Sequence, residues 1–279
     1  MLHRPQSTAD ALKMLGMEGA TILAGGTDIF PAYVDRPPPT ALIDITKLPG
    51  LRGVSVDDAT IRIGAATTWT DIVRTSLPPA FDMLKQAALE VGAVQIQNRG
   101  TIGGNLCNAS PAADGVPPLL ALDAQVELAS PRGVRVLALE DFLLGNRQTI
   151  RAADEIMTAV LVPNDLPAAR SKFLKLGARR HLVISIVMVA AALEFGEHAT
   201  IKTARIAVGS ASAIAQRLRT LEQRLVGARA SADVAGHVTE ECLSPLTPID
   251  DIRATAGYRL DAAAELVKRT LLHLCGTPA

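Results

Sequence analysis

Two short stretches decide how this chain is read: Ala24-Gly25-Gly26-Thr27-Asp28 and Thr101-Ile102-Gly103-Gly104-Asn105. Each follows or lies beside an apolar run with strand character, and each joins bare backbone to small hydroxyl and amide side chains. Glycine lets the main chain approach a ligand closely and adopt positive φ, so consecutive N–H groups can converge on an anion. Two such turns in one domain point to a long ligand with two negative groups, for which a dinucleotide pyrophosphate is the natural candidate. Neither stretch fits G-x-G-x-x-G, and G-x-x-x-x-G-K-[ST] is absent, so the Rossmann and P-loop readings lack their fingerprints.

Working outward, Ser7 is placed to cap a helix over Thr8 to Leu15, and Ala20 to Ala24 reads as a strand running into the first glycine turn. Pro37-Pro38-Pro39 is a stiff connector to a second strand, Ala41 to Ile45. Thr60 to Ala65 alternates as a half-exposed strand, and Thr70 is expected to cap a helix from Asp71. Phe81, Leu84, Ala88 and Val91 recur at helical spacing between Pro79 and Val94, and Gly92 is expected to end that helix. Beyond the second glycine stretch, Pro117 to Leu122 reads as a helix. Gln125 to Ala129 and Val134 to Leu137 form a hairpin across Pro131-Arg132-Gly133, and Glu155 to Val162 is a further strand. A linker at Asn164 to Ala169 places a domain boundary. After it come strands at Ser171 to Leu176, Val187 to Phe195 and Thr203 to Val208. Helices follow at Ala213 to Val226 and from Ile252 to Leu274, the last open to a break at Gly257.

Composition removes several classes of function. The 279 residues suffice for two cores, and with aromatics at only 3% those cores must be built from Ala, Val, Leu and Ile. Lys plus Arg and Asp plus Glu both total 28, so no net charge suggests nucleic acid or a membrane surface. The N-terminus lacks the apolar segment of a signal peptide, and Leu182 to Leu193, interrupted by Ser185, is too short to span a bilayer. Cys107, Cys242 and Cys275 form no CxxC pair, so the default expectation is a cytoplasmic protein without a disulfide framework, structural zinc or iron–sulfur cluster.

The second glycine stretch belongs to a richer run, Gln97 to Asp114, which holds Ser110 and Asp114 as well as Asn105, Cys107 and Asn108. The run has no helical or strand period. It reads either as a surface loop or, more sharply, as a loop lining a cofactor.

At these residues the chain resembles a known family. The strand-AGGTD turn, the R-G-T-I-G-G-N-L motif and the downstream S-P-A-A-D are similar to the FAD-binding medium subunit of the molybdenum hydroxylases, the group of xanthine dehydrogenase and carbon monoxide dehydrogenase. Arg170 to Ser185 and Asp251 to Arg259 extend the resemblance over the whole chain. It implies an α+β fold: a vanillyl-alcohol-oxidase-type FAD-binding domain at 1–167, of two α/β subdomains (about 1–55 and 56–167), and a smaller α+β domain at 168–279.

The resemblance also implies site residues. Ala24, Gly25, Gly26, Thr27, Asp28 and Ile29 would hold the pyrophosphate, mainly through backbone N–H groups. Thr101, Gly103, Gly104, Asn105 and Cys107 would line the opposite wall, with Ser110 and Asp114 toward the ribityl or adenosine side. Met157 would pack on the cofactor, and Lys175 would stand near the flavin ring, where a cation favours the anionic reduced form.

No histidine lies between His3 and His181, so FAD is expected to be noncovalent. The molybdenum cofactor and the [2Fe–2S] clusters are expected on partners: a molybdopterin large subunit and an iron–sulfur small subunit, in a dimer of heterotrimers. The FAD would deliver electrons to an external acceptor, NAD or another. No residue is expected to act as a catalytic acid or nucleophile. The competing readings are a stand-alone flavin oxidase or dehydrogenase of the same fold and a scaffold without cofactor. Cys107 reads equally as a small buried filler and Lys175 as a solvated strand lysine. Arg179, Arg180 and His181 read as loop capping and solvation, and Arg205, Arg217, Arg219, Arg224 and Arg229 as a solvated face or subunit contact.

Overall fold

The computed structural model describes residues 1–35, 37–180 and 182–276; Arg36, His181 and residues 277–279 lie outside the described residues. The chain opens with β1 (Leu2–His3), α1 (Thr8–Leu15), β2 (Ala20–Leu23) and β3 (Ala41–Asp44). Ser7 caps α1, its hydroxyl accepting from the Asp10 N–H at 3.1 Å. The strands form a parallel sheet in the order β1-β3-β2. Its core gathers Ala11, Ile43, Ile45, Leu48 and Leu51 with Ala66 and Ile156, so the next layer already plugs into the first.

That second layer is built from β4 (Val54–Val56), β5 (Thr60–Gly64), β6 (Gln125–Ser130), β7 (Gly133–Ala138), the short hairpin strands β8 (Leu143–Gly145) and β9 (Gln148–Thr149), and β10 (Ile156–Pro163). The main sheet runs β4-β5-β10-β6-β7, antiparallel throughout. Between β5 and β6 lie α2 (Trp69–Arg74), α3 (Asp82–Glu90), α4 (Val94–Gln97), α5 (Ile102–Asn108) and α6 (Val116–Ala121), and α7 (Leu139–Phe142) follows β7. The cap expected at Thr70 is instead Thr68. Its hydroxyl accepts from the Asp71 N–H while Asp71 accepts from the Thr68 N–H, a reciprocal pair that starts α2 at Trp69. The helix read from the apolar spacing after Pro79 ends at Glu90 as α3, where Val91 turns extended and Gly92, expected to end it, takes φ +55°.

The C-terminal sheet is a meander of β11 (Arg170–Leu176), β12 (Val187–Phe195), β13 (Ile201–Gly209) and β14 (Gln216–Arg217), followed by α8 (Arg219–Leu225), α9 (Glu240–Leu243) and α10 (Ala256–Leu274). The apolar run of β12 is explained by burial of both its faces. Met188, Ala190 and Ala192 join the core of the second layer, while Val187, Val189, Ala191 and Leu193 join a separate core under α10.

Two expected helices change. The one expected from Ala213 gives way to β14 and begins only at Arg219. Arg217 is drawn into ion pairs with Asp123 and Glu222, both at 2.6 Å, and into a bond with the Leu120 carbonyl at 2.8 Å. The terminal helix starts at Ala256 under a Thr255 cap, with Gly257 in its first turn and no break there.

Among the described residues, four of the five arginines expected on a solvated face or subunit contact, all but Arg229, have carboxylate partners within the chain. Arg205 pairs with Asp123 and Asp165, Arg219 with Glu140 and Arg224 with Glu241; the side chains of Arg205 and Arg217 are largely buried. Arg179 instead caps its own loop, its Nε donating to the Leu182 carbonyl at 3.0 Å.

Candidate cofactor cleft

β2 delivers the chain to Ala24 at the junction of the two N-terminal layers. Gly26 takes φ +75°, and a helical turn follows, with the Phe30 N–H on the Gly26 carbonyl and the Ala32 N–H on that of Asp28. The start of any helical turn leaves N–H groups without an internal acceptor. Here the backbone N–H groups of residues 25–29 donate to no acceptor among the described residues. They form a row of donors on the wall of a cleft of about 430 Å³.

The facing segment is built otherwise. Thr101 caps α5, its hydroxyl accepting from the Gly104 N–H at 3.1 Å. The Ile102, Gly103 and Asn105 N–H groups go to the carbonyls of Thr67, Ala65 and Thr101. The second stretch is therefore a helix and not the aperiodic loop expected, and its N–H groups are already used. It presents side chains and Cα atoms to the cleft. Asn105 lines the cleft, and its buried Oδ1, beside Gly115, has no hydrogen-bond partner, a costly state for a polar atom.

The glycines have a second reason to be there. A Cβ on Gly25 would overlap the Arg99 carbonyl, and one on Gly103 would stand 2.7 Å from both Cβ and O of Ala65. Gly100 is buried, and its Cα lies against the Gly25 position. Close backbone packing between the two walls, and not ligand approach alone, requires glycine at 25 and 103.

The cleft brings together Ala24, Gly25, Gly26, Thr27, Asp28 and Ile29 on one side and Thr101, Gly103, Gly104, Asn105 and Cys107 on the other, with Met157. Three residues named with them do not line it. Ser110 faces a separate small hollow beside Pro111 and Ala213. Asp114 is buried, ion-paired to Lys175 Nζ at 2.9 Å and accepting from the Ser185 hydroxyl at 2.9 Å. Lys175 also donates to the Glu90 carbonyl at 3.2 Å, so it is neither a solvated lysine nor a cleft-lining one. Burial pushes the Asp114 carboxyl above its ordinary pKa, and the Lys175 ammonium and the Ser185 hydroxyl pull it back only in part.

Other lining residues escaped the sequence reading. Trp69, the chain's only tryptophan, is 1% exposed, and Val91, Ile96, Ile156 and Arg151 also line the cleft. The helical spacing around Val91 marked it as apolar but could not say that it faces a cleft. Nothing local marks Trp69 or Arg151. Burial pushes the Cys107 thiol up to about 11, against the pull of the Arg151 charge. Among the described residues no group of His, Cys, Asp and Glu is arranged to hold a metal, and no helix is long and apolar enough to cross a membrane.

A row of free N–H donors at a strand-to-helix turn, on the wall of a largely apolar cleft, has the chemistry to receive an anionic group. The comparisons with known proteins agree. Residues 1–165 match the FAD binding domain in molybdopterin dehydrogenase, and residues 172–274 match the CO dehydrogenase flavoprotein C-terminal domain. The chain is 29% identical to the carbon monoxide dehydrogenase medium chain of Hydrogenophaga pseudoflava, over 96% of this chain and 94% of that one. It is 31% identical to the xanthine dehydrogenase FAD-binding subunit of Escherichia coli O157:H7, with the same coverage of 96% and 94%. A solved carbon monoxide dehydrogenase from Hydrogenophaga pseudoflava superposes with a TM-score of 0.89 at 28% identity, covering 100% of this chain and 98% of that one. The chain belongs to the FAD-binding medium-subunit family of the molybdenum hydroxylases, and FAD is the cofactor of that family.

Proposed function

We propose that this chain is the electron-transfer flavoprotein subunit of a heteromeric molybdenum hydroxylase, with domains at 1–167 and 168–279. The observation that carries the reading is the free N–H row at residues 25–29, lining one cleft with the glycine-rich wall of α5. Bound FAD supplies redox chemistry that no side chain offers. The chain's own residues bind and orient it. N–H groups at residues 25–29, assisted by the Thr27 hydroxyl, take the diphosphate; Asn105 and Thr101 bound the far wall; Met157 and Val91 exclude water from the apolar part. Asp28, held by Asn108 Nδ2 at 3.3 Å, suits a sugar hydroxyl and not a phosphate. Lys175 and Asp114, behind the wall, set the field around the apolar part, and Ser110 supports the turn after α5 by accepting from the Ala112 N–H. With no histidine between His3 and His181, FAD is held noncovalently.

Electrons reach the FAD from [2Fe–2S] clusters on a small subunit, after substrate is oxidised at the molybdenum centre of a large subunit, and leave to an external acceptor such as NAD. The complex is a cytoplasmic dimer of heterotrimers acting on a xanthine-like or other N-heterocyclic substrate or an aldehyde. The relatives support this reading, because they carry the names of medium chains and FAD-binding subunits. Purification of the native complex tests it. Iron, molybdenum and FAD should co-purify with this chain, and the isolated chain should oxidise no organic substrate. An isolated chain that turns over such a substrate alone would establish a stand-alone flavin enzyme instead.

A further inference from the structure

Of the residues lining the cleft, only Asp28 and Arg151 carry charge, and Asp28 has the same sign as a phosphate. The N–H row offers only partial positive charge, of order half an elementary charge for an aligned helix end. Arg151 is thus the single full positive charge on the cleft wall among the described residues.

Its bonding leaves that charge uncompensated. Nη1 donates to the carbonyls of Ala152 at 3.1 Å and Glu155 at 2.6 Å, which fixes the guanidinium against the loop before β10. The Glu155 carboxylate is not available to it, because Arg135 holds both oxygens at 2.7 and 2.8 Å and the Ala152 N–H adds a third bond. No carboxylate pairs with Arg151 among the described residues. A half-buried cation beside the apolar Ile156 and Met157 is costly without a counter-ion, and an anionic ligand in the cleft would supply one. Its place along the cleft is also defined. The segment leading to Arg151 is tied to the end of α5 by the Arg147 N–H on the Ala109 carbonyl at 2.9 Å, and Asn108, the residue before Ala109, holds Asp28.

We propose that Arg151 recognises the ADP half of FAD, pairing its guanidinium with the diphosphate where Asp28 meets the adenosine ribose, and so makes the cleft prefer FAD to FMN. The inference rests on the FAD reading above and adds a residue and a selectivity to it.

The test is binding of FAD, FMN and ADP to the purified full-length chain, within the complex if it purifies as one and is stripped of flavin. Affinities are measured by flavin fluorescence and, for ADP, by competition, across a range of salt. Arg151→Gln should weaken FAD and ADP by about tenfold or more, leave FMN unchanged, and flatten the salt dependence of FAD binding. Arg151→Lys keeps the charge and should recover most of the loss; if the glutamine variant fails to fold, Arg151→Met removes the charge in its place, with the same expected losses. Equal weakening of FAD and FMN, or unchanged FAD affinity in Arg151→Gln, would overturn the assignment while leaving FAD binding itself intact. A wild-type chain that binds no FAD would overturn both.

Discussion

Gly25 and Arg99 are in backbone contact: a Cβ on Gly25 would overlap the Arg99 carbonyl oxygen, so the two walls of the cleft are fused at this point by the absence of a side chain. The donor row and the α5 wall are held in register by that contact. Gly25→Ala must therefore push the walls apart. It should cost about 2 kcal/mol or more, lower the melting temperature by roughly 4–8 °C, and reduce flavin retention. Gly236→Ala is the control, since a Cβ there meets nothing within 4 Å and the change should be nearly neutral. Equal melting points and equal flavin content for the two variants would show that the contact is not what holds the walls.

The buried pair of Asp114 and Lys175 makes a second prediction. Lys175→Met strands a carboxylate whose side chain is only 9% exposed, leaving Ser185 as its remaining partner, and should destabilise the fold by roughly 3–5 kcal/mol. The deficit should grow as pH rises. A carboxyl whose folded pKa lies above its unfolded value favours folding while protonated and loses that contribution as it ionises. Adding Asp114→Asn should recover much of the loss, so the double variant would be more stable than the sum of the singles, measured by denaturant unfolding. Simple additivity would mean that the pair is not coupled.

Asp251 governs acid stability in the C-terminal domain. It accepts from the Arg253 and Ala254 N–H groups and from the guanidinium groups of Arg253 and Arg259, which together hold its carboxyl well below the usual range. A depressed folded pKa stabilises the protein above the unfolded value, near 3.9, and that contribution fades as pH falls below it. Asp251→Asn should cost about 2 kcal/mol at neutral pH, because the buried Arg259 loses its carboxylate. The melting curves of wild type and variant should converge as pH drops below about 4. A constant gap down to lower pH would rule out the ionised form as the source.

Cys107 lines the cleft as a neutral thiol. With its pKa up to about 11, it should resist iodoacetamide at about pH 8 in the folded chain and react only on unfolding, as read by mass spectrometry. Rapid labelling in the native state would mean that the thiol is far more exposed and acidic than the fold allows.

Much of this was legible in the sequence because it is local. The Ser7 cap, the strands flanking Gly25-Gly26 and the hairpin at Pro131-Arg132-Gly133 each follow from a few neighbouring residues. The helix over Ile102–Asn108 was not legible, since two glycines, two asparagines and a cysteine give it neither propensity nor period. Burial of Ile102 and Leu106 and the Thr101 cap make it helical, and these are tertiary effects. Long-range pairs were hidden for the same reason. Nothing near Arg217 announces Asp123, 94 residues away, and nothing near Asp114 announces that it turns from the cleft toward Lys175. Residues 24–29 line one cleft with the α5 segment, a placement their local pattern allowed, whereas Trp69 and Arg151 enter it only through the fold.

The central claim is that the two glycine segments close on one noncovalent FAD. Its most direct measurement is flavin stoichiometry in the purified native protein, followed by denaturation and separation of the chain from the supernatant. The account predicts one FAD per chain, recovered intact and free in the supernatant, and a marked loss in Gly25→Ala. A well-folded, colourless protein that takes up no added FAD, or flavin that stays attached to the denatured chain, would contradict it.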